Sequence, residues 1–363
     1  VMENKYFKLY NCCTLVRGVR RSGIADLQRA NFETIPTNLY SFLTENRDKS
    51  YASIQKKYSE DNLKIINEYY DWLIAKEYGF WCNEDDVGNF IKLNTDFNVP
   101  SEITNVIIDI DNKLQYNKIF DELIRLGVPH LELRSFMKIK LDFYLDLIKK
   151  FEGTRVKTID IITPFIDSGI SFVNEITCKK GWSFRLNTLI FYASPFNAID
   201  EGAGGLSKII YTKKIITDSN CCGNSSSKYF SINIPTYTES LNFNTCLNRK
   251  ISIDVNGEIK NCPSMKKSYG NIKNTTLIEA LNKKGFKDVW HIKKDDIKIC
   301  KDCEFKHICT DCRAFIDNPD DIYSHPAKCT YNPYQAKWEG EKGYIPVTQM
   351  TEKEIEKIKA EYA

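Results

Sequence analysis

Residues 300–312 read Cys-Lys-Asp-Cys-Glu-Phe-Lys-His-Ile-Cys-Thr-Asp-Cys, which places two Cys-x2-Cys pairs close together. A Cys-x2-Cys turn directs two thiolates at one metal, and a second pair nearby is hard to explain by unrelated buried thiols. Three further cysteines, Cys246, Cys262 and Cys329, extend the pattern on both sides. The stretch from Cys246 to Cys329 therefore predicts a metal-binding module.

Two kinds of metal centre fit these seven cysteines. A structural zinc ion takes four ligands, and a [4Fe–4S] cluster held by cysteines alone also takes four. Seven cysteines suit two sites, with one position open or filled from elsewhere. His307 is a possible zinc ligand, although a lone histidine on a tight loop more often faces solvent. The spacing alone leaves zinc and iron–sulfur both open.

The composition limits the remaining possibilities. The chain has 363 residues, 42% of them hydrophobic and 27% charged, which suits a globular protein of two or three domains. Its net charge of +3 comes from scattered residues, so nucleic-acid binding is not expected. No apolar run of roughly 18 to 20 residues and no signal-peptide pattern is present, so we predict no membrane partner and a cytoplasmic location. Thirteen cysteines in a reducing compartment indicate metal binding rather than disulfides.

Residues 1–95 have the pattern of a small winged-helix domain. Three strand-like segments, Tyr6–Val16, Gly23–Leu27 and Ala30–Ile35, precede helical periodicity over Glu60–Tyr78. Cys12 and Cys13 fall within the first of these strands. Neighbouring residues on a strand point to opposite faces, so we expect one core thiol and one surface thiol.

Residues 100–220 alternate between apolar runs and amphipathic segments, which predicts βα units around a parallel sheet. About four units are present, so a partial (β/α) barrel is expected within an α/β fold. Asp109 and Asp111 follow one strand and are candidates for acid–base chemistry, although solvated strand-end residues are the simpler interpretation. Gly202–Gly205 lacks the lysine of a phosphate loop and reads as a turn. The predicted elements are Val106–Ile110, Tyr116–Leu126, Leu131–Leu133, Leu141–Phe151, Thr158–Ile162, Gly169–Lys179, Leu186–Tyr192 and Lys208–Tyr211.

Residues 221–340 form the cysteine-rich region, and residues 341–363 read as a charged tail with a short solvated helix. The order of cysteines resembles the SPASM domain found at the C-terminus of many radical S-adenosylmethionine peptide maturases. The resemblance includes the Gly257-x4-Cys262 turn and the segment Gly270-Asn271-Ile272. It implies two [4Fe–4S] clusters. It also assigns Cys246, Cys262 and Cys312 to the first cluster, and Cys300, Cys303, Cys309 and Cys329 to the second.

The first cluster lacks one ligand in this correspondence. The cysteine that comes earliest in the family has no counterpart near Ser240, and Cys312 is preceded by two residues where the family commonly has three. Either Cys221 or Cys222 supplies the missing ligand, or one iron stays open. The sequence does not choose between these alternatives.

The central chemistry of a radical enzyme is missing from the chain. Such enzymes bind their catalytic cluster through a Cys-x3-Cys-x2-Cys loop after the first barrel strand. Val106–Ile110 is followed by residues 111–115 without a cysteine, and none occurs before Cys178. We therefore expect neither radical catalysis nor S-adenosylmethionine as a cofactor, and we assign no catalytic residue.

The N-terminal region resembles the precursor-recognition domains of peptide maturases, which bind a leader peptide as an added β-strand. By that resemblance the leader pairs with one strand, and the helix over Glu60–Ile74 forms the other wall. The expected peptide-binding residues are Ala30, Asn31, Phe32, Glu33, Thr34 and Ile35.

Taken together, the chain resembles the SPASM proteins of grasp-with-spasm systems, which accompany an ATP-grasp ligase in making graspetides, a class of ribosomally synthesised and modified peptides. The leading hypothesis is a maturation partner that binds a precursor by its leader, while the ligase performs the catalysis. One alternative is an enzyme that uses an open iron site for substrate activation or electron transfer. Another alternative is a zinc-bound scaffold.

Overall fold

The computed structural model of the chain describes residues 4–111, 114, 116–166, 185–201 and 208–362. The predicted helix Gly169–Lys179 and the predicted turn Gly202–Gly205 lie outside these residues. Within the described part, no helix has the length and apolar character needed to cross a membrane.

The N-terminal region contains two small antiparallel sheets. The predicted strand Tyr6–Val16 is two strands in different sheets, because a turn over residues 10–12 interrupts it and the N–H of Cys13 donates to the carbonyl oxygen of Tyr10 (2.8 Å). One sheet pairs β1 with β5, and the other has the order β2-β3-β4. The strands are β1 (Lys5–Leu9), β2 (Cys13–Val16), β3 (Ser22–Asp26), β4 (Asn31–Ile35) and β5 (Gly79–Asn83).

Three helices pack against these sheets: α1 (Thr37–Glu45), α2 (Tyr51–Lys57) and α3 (Glu60–Ala75). Their apolar faces meet the sheets around Ile24, Leu39 and Leu73, all of which are fully buried. Strands precede helices as expected, but the structure has four strands before the helices and a fifth after them. A winged-helix identity for this region stays a prediction.

The central feature is a large mixed sheet of eight strands in the order β10-β11-β9-β8-β7-β6-β12-β13. Strands β11, β9, β8, β7, β6 and β12 run parallel to their neighbours, and an antiparallel strand closes each end. Apolar residues of the parallel strands, such as Ile108, Leu133 and Ile161, are buried in one core. The strands are β6 (Asn105–Ile110), β7 (His130–Ser135), β8 (Thr158–Pro164), β9 (Leu186–Tyr192), β10 (Ala198–Asp200), β11 (Lys208–Tyr211), β12 (Lys250–Ile253) and β13 (Ile259–Lys260).

The predicted βα alternation is present in the helices α4 (Asn117–Leu126) and α5 (Leu141–Lys150), which follow β6 and β7. The sheet also continues into the cysteine-rich region, because β12 pairs in parallel with β6. A boundary near residue 220 stays a prediction, but it does not divide the sheet. The fold is therefore mixed α/β, with the cysteine-rich region built onto the edge of the central sheet.

The C-terminal part consists of short elements joined by turns. They are α6 (Ile234–Ser240), α7 (Leu277–Leu281), β14 (Tyr331–Asn332), β15 (Lys337–Trp338) and α8 (Glu352–Glu361). Helix α8 is the predicted helix of the charged tail, and it is largely exposed. It is nevertheless attached to the cysteine-rich region, because Nζ of Lys359 lies 3.1 Å from a carboxylate oxygen of Asp302.

Candidate metal centre

Four thiols come together at one end of the β12–β13 hairpin. Cys246 lies just before β12 and Cys262 just after β13, so the hairpin brings both to the same end. Burial raises the pKa of Cys312, and the neighbouring Cys246 and Cys222 thiols add to this increase. Cys222, Cys246, Cys262 and Cys312 are called the first cysteine group below.

The Gly257-x4-Cys262 turn has a clear physical basis. Gly257 has a φ of +82°, and a Cβ at this position would lie 3.0 Å from Cγ1 of Ile272. The side chain of Asn271 closes the turn by donating to the carbonyl oxygen of Asn256 (3.0 Å) and to Oε1 of Glu258 (2.8 Å). The segment Gly270-Asn271-Ile272 therefore supports the hairpin that positions Cys262.

The structure separates the two adjacent cysteines at 221 and 222. The surrounding protein raises the pKa of Cys222, and Cys246 adds to the increase, so this thiol lies beside the group. A Cβ at Gly223 would lie 3.0 Å from Sγ of Cys312, which brings the backbone after Cys222 close to the same thiols. The Cys221 thiol instead lies near Tyr192, whose pKa is raised to about 12 by burial, by Tyr144 and by Cys221.

Two cations lie beside the first cysteine group, the half-buried Lys250 and the buried Arg134. Nζ of Lys250 lies 3.4 Å from Sγ of Cys246. Burial opposes its charge, but Cys246 and Cys262 outweigh this effect and raise the pKa of Lys250. Arg134 is 5% exposed. Burial acts to lower the pKa of Arg134, but the neighbouring Asp109 carboxylate and, to a smaller extent, the nearby Cys262 thiol raise it above its usual value. Nη2 of Arg134 has no hydrogen-bond partner within the described residues, which suits an anionic neighbour.

The second cysteine group consists of Cys300, Cys303, Cys309 and Cys329. Cys300 opens a short 3-10 turn that ends at Cys303, and the N–H of Cys303 donates to the carbonyl oxygen of Cys300 (3.0 Å). Ile299, immediately before this turn, has a φ of +69°. A β-branched residue rarely adopts this conformation, and such strain is retained where the surrounding structure fixes the backbone. It sets the direction in which the Cys300 thiol points.

A buried lysine also accompanies the second group. Lys294 is 4% exposed, and its Nζ lies 3.8 Å from Sγ of Cys300 and 3.6 Å from Oδ1 of Asp311. Burial opposes its charge, but Cys300, Cys309, Asp311 and Cys329 raise its pKa well above the usual value. Each cysteine group is thus adjacent to one lysine ammonium group. Sequence reasoning missed Lys250 and Lys294, because nothing but their nearness to cysteines distinguishes them from the other lysines.

Asp311 links the two groups through fully buried contacts. Its Oδ2 accepts a hydrogen bond from Nδ2 of Asn244 (2.5 Å), and Oδ1 of Asn244 accepts the N–H of Cys246 (3.0 Å). On the other side, Oδ1 of Asp311 faces Lys294 and the guanidinium of Arg313 (2.8 Å). Removing one partner from such a buried ion pair is costly, so this network holds the two groups in a fixed relation.

Burial makes three of these thiols, Cys262, Cys300 and Cys329, difficult to ionise. It raises the pKa of Cys262 to about 12, with Cys246 adding to the increase. It also raises the pKa of Cys300 to about 12 and that of Cys329 to about 11. Such thiols are inert as nucleophiles, and a bound metal ion is what stabilises their thiolates. The donor set fits metal ligation rather than nucleophilic catalysis.

The two cysteine groups differ in spacing from a third set of ligand atoms, which belongs to Cys12, Cys13 and Asp26. Only Cys12, Cys13 and Asp26 have ligand atoms all within 4.8 Å of one another among the described residues, so no three sulfurs of either group are that close. The oxygens of Asp26 already accept Nε of Arg29 (2.6 Å) and two backbone N–H groups. We therefore assign no metal to this triad. The prediction of opposite faces for Cys12 and Cys13 is wrong, because Cys12 lies in the turn before β2.

Three other candidate residues, Asp109, Asp111 and His307, are at least partly buried. Asp109 is 2% exposed and accepts a hydrogen bond from Nε of Arg134 (2.7 Å), so it is not a solvated strand-end residue. Asp111 is half-buried just after β6, and the two carboxylates line a cavity of about 430 Å³ at that end of the sheet. His307 is buried rather than solvent-facing, and its Nδ1 lies 3.1 Å from Oγ of Ser240.

The predicted peptide-binding strand is β4, at one edge of its sheet. Within the described residues it pairs only with β3, and its other side has no strand partner. Side chains on one face contact the end of α3 and the segment after it: Oε1 of Glu33 lies 2.9 Å from Nζ of Lys76, and Asn31 donates to the hydroxyl of Tyr78 (2.9 Å). An open strand edge thus lies beside a helix.

The remaining predicted peptide-binding residues differ in their surroundings. Ala30 has a φ of +54° and belongs to the turn before β4, which corrects the predicted start of the strand. Phe32 packs against Phe305 of the cysteine-rich region, with ring centroids 5.3 Å apart. Thr34 is exposed, and Ile35 is buried in the N-terminal core.

Two groups of thiols with accompanying buried cations define a metal-binding protein. Residues 245–304 match the SPASM family model, which describes an iron–sulfur cluster-binding domain. The chain therefore carries a SPASM domain, and iron–sulfur cluster binding is the function that this domain indicates. The matched residues include Cys246, Cys262, Cys300 and Cys303. No curated protein matches the chain.

Proposed function

We propose that this protein carries two [4Fe–4S] clusters and binds the leader of a ribosomal precursor peptide at the edge of β4. The observation that carries the proposal is the division of the thiols into two groups of four, each beside one lysine ammonium group. The first group, Cys222, Cys246, Cys262 and Cys312, would hold one cluster. The second group, Cys300, Cys303, Cys309 and Cys329, would hold the other.

The spacing and charge of the thiols favour iron–sulfur clusters over zinc. Four thiolates around one zinc ion lie about 3.8 Å apart, because each Zn–S bond is about 2.3 Å and the geometry is tetrahedral. No three sulfurs of either group lie within 4.8 Å of one another among the described residues, which suits a larger cluster. When bound, a cluster of this type supplies one-electron redox capacity and a rigid crosslink.

The chain's own residues would supply the fixed environment for each cluster. A cluster with four thiolates is anionic, and Lys250 and Lys294 place one ammonium group beside each set. The unpaired Nη2 of Arg134 offers a further donor near the first group. Cys309 and Cys312 belong to different groups, so the backbone between them would cross from one cluster to the other, held by Asp311.

Cys222 is the proposed fourth ligand of the first cluster. Its thiol lies beside Cys246, whereas the Cys221 thiol lies near Tyr192. A cluster with four cysteine ligands has no open iron, so this arrangement argues against the alternative of an enzyme that activates a substrate at an open site. We propose a supporting role for the protein, with bond formation left to an ATP-grasp ligase as the resemblance to grasp-with-spasm systems implies.

Peptide binding at β4 rests on backbone chemistry. An exposed strand edge offers unpaired N–H and C=O groups that an extended peptide pairs with, and neighbouring side chains give specificity. Beside β4, the ion pair between Glu33 and Lys76, just after α3, forms the surface that the peptide would contact, and the buried Tyr78 supports it by accepting a hydrogen bond from Asn31.

The metal proposal is tested by preparing the protein anaerobically and measuring iron, acid-labile sulfide and zinc. We expect about eight irons and eight sulfides per chain, as two [4Fe–4S] clusters require, with little zinc. Cys222→Ser should change the signal of one cluster in electron paramagnetic resonance, whereas the matched variant Cys221→Ser should not. Stoichiometric zinc without sulfide would exclude iron–sulfur clusters.

The peptide proposal is tested by capture of a candidate precursor, a short Ser/Thr- and acid-rich peptide whose gene lies next to an ATP-grasp gene. The full-length precursor should bind, and a precursor without its leader should not. Charge reversal of the ion pair by Lys76→Glu should weaken capture, and Lys64→Glu, on the exposed side of α3, serves as the matched control. Equal capture of a scrambled leader would contradict the proposal, and modification of the precursor without the ligase would favour the enzyme alternative.

A further inference from the structure

The turn between β2 and β3 docks onto the loop that carries Cys300 and Cys303. The N–H of Val19 donates to the carbonyl oxygen of Asp302 (2.8 Å), and Nε of Arg21 lies 2.6 Å from Oε1 of Glu304. A Cβ at Gly18 would lie 2.8 Å from the backbone nitrogen of Glu304, so only glycine permits this close approach. The N-terminal sheet is thus fastened directly to the second cysteine group.

Glu304 is the central residue of this contact. Its side chain is 1% exposed, and its Oε1 accepts hydrogen bonds from Arg21 and from the hydroxyl of Tyr331. It follows Cys303 directly and precedes Phe305, whose N–H lies 3.4 Å from Sγ of Cys303. A buried carboxylate with two partners requires an accurately placed backbone, since losing either partner leaves the charge uncompensated.

An aromatic cluster forms the second half of the contact. Phe32 of β4 covers Gly23 of β3, where a Cβ would meet the ring at 2.1 Å, and it packs on Phe305 at 5.3 Å between centroids. Phe305 in turn contacts Tyr331 (5.0 Å) and Phe230 (4.9 Å). The same cluster includes Cys303, Cys309 and Cys329 of the second group.

Successive side chains of β4 therefore serve different purposes. Phe32 holds the strand against the cysteine-rich region, whereas Asn31 and Glu33 project towards α3. Alternation along a strand separates these two faces. The proposed peptide-binding edge is consequently supported by the loop that the second cysteine group holds in place.

We propose that occupancy of the second cysteine group controls the affinity of the protein for its peptide. With metal bound, the loop from Cys300 to Cys309 is fixed, and Glu304 and Phe305 hold β3 and β4 in the binding-competent arrangement. Without metal the loop loses its crosslink, so the peptide must order β4 as it binds. Affinity then falls by about tenfold, which lies within the usual range for coupling between two sites. This inference rests on the proposed peptide-binding function.

The coupling is tested first by hydrogen exchange, which needs no peptide. The double variant Cys303→Ser/Cys309→Ser removes two ligands of the second group, and Cys246→Ser/Cys262→Ser removes two of the first as the matched control. Amides of β3 and β4 should exchange faster in the second-group variant and at the unmodified rate in the control. Equal exchange in the two variants would overturn the proposal.

A second variant disrupts the contact between β4 and the loop from Cys300 to Cys309 while it leaves the cysteine ligands intact. Phe305→Ala keeps all eight thiols, so iron content should stay unchanged while exchange in β4 accelerates. Peptide binding is then followed by fluorescence anisotropy, with a labelled synthetic peptide that contains the leader of the candidate precursor. Phe305→Ala and the second-group variant should each weaken binding about tenfold, and the first-group variant should not. Uniform affinity across these proteins would reject the coupling, whereas absence of binding to the unmodified protein would reject the peptide function alone.

Discussion

The ammonium nitrogen of Lys328 lies 2.7 Å from the carbonyl oxygen of Cys222. It also donates to the carbonyl oxygen of Asn220 and lies 3.7 Å from the centroid of the Phe315 ring. Lys328 directly precedes Cys329, so a residue next to a second-group cysteine anchors the segment that delivers Cys222 to the first group. The two cysteine groups are joined on this side as well as through Asp311.

Lys328→Met should leave the backbone around Cys222 less firmly positioned and thereby destabilise the first cluster. The substitution removes two hydrogen bonds to the backbone around Cys222 but keeps an apolar chain over Phe315. We expect iron loss from that cluster to be about tenfold faster under a chelator, in line with substitutions of outer-shell residues at metal sites. Lys266→Met, at an exposed position near Cys262, is the matched control. Identical rates for the two variants would show that Lys328 does not position Cys222.

Gly223→Ala should prevent the normal approach of the 222 segment to Cys312. Gly223 has a φ of +88°, and a Cβ there would lie 2.7 Å from the Phe315 ring and 3.0 Å from Sγ of Cys312. Gly340 has a φ of +91° with no atom within 4 Å of its Cβ position, so Gly340→Ala isolates the backbone strain, about 1–2 kcal/mol. Only Gly223→Ala should reduce iron content, and equal loss in the two alanine variants would point to strain alone.

Lys250 and Lys294 should set the reduction potentials of the two clusters. Reduction adds negative charge, which a nearby ammonium stabilises, so Lys250→Met should lower the potential of the first cluster and Lys294→Met that of the second. Loss of a hydrogen bond to a charged group costs about 1.5–3 kcal/mol. For a one-electron couple this corresponds to a decrease of about 60 mV or more. A redox titration monitored by electron paramagnetic resonance measures it, and Lys250→Arg and Lys294→Arg should restore much of the potential.

Asp26 should stabilise the N-terminal region in a pH-dependent way. Burial acts to raise the pKa of Asp26, but hydrogen bonds from Arg29 and Gln28 outweigh it and hold the pKa below its usual value. The folded state therefore favours the carboxylate, and its contribution is present above the ordinary pKa of about 4 and is lost as pH falls through the lowered value. Asp26→Asn should lower the melting temperature at pH 7 by about 2–4 °C. The difference should shrink as pH falls below about 4, and a difference that stays constant with pH would contradict this explanation.

The sequence was most informative where chemistry depends on spacing. The division of Cys246, Cys262 and Cys312 from the other four cysteines follows the resemblance, and the structure brings the same residues together. The sequence could not decide between Cys221 and Cys222 as the fourth ligand. The decision depends on the contact of Lys328 with Cys222 and on the close approach of Gly223 to Cys312, and both join residues that are far apart in the sequence. His307 was expected to face solvent, but Ser240 and Tyr237 cover it from another segment.

The strands were predicted better than their partners. Periodicity located β6 to β9 within a few residues, since buried parallel strands are short apolar runs. It did not predict that β12 would join β6, because strand pairing across a long separation leaves no local pattern. The turn that splits the first predicted strand was missed for a related reason: Cys12 and Cys13 have ordinary strand propensity, and the hydrogen bond from Cys13 to Tyr10 decides the outcome.

The pairing of β12 with β6 has a consequence for biosynthesis. While the ribosome is still translating the residues between them, β6 in the nascent chain presents an apolar strand with an unsatisfied edge, which is the type of surface that aggregates or recruits chaperones. That edge is covered only when the segment following Cys246 emerges. The central sheet is therefore completed before the first cysteine group, whose last member, Cys312, lies further along the chain. The nascent protein is thus protected from misfolding before it becomes able to accept iron.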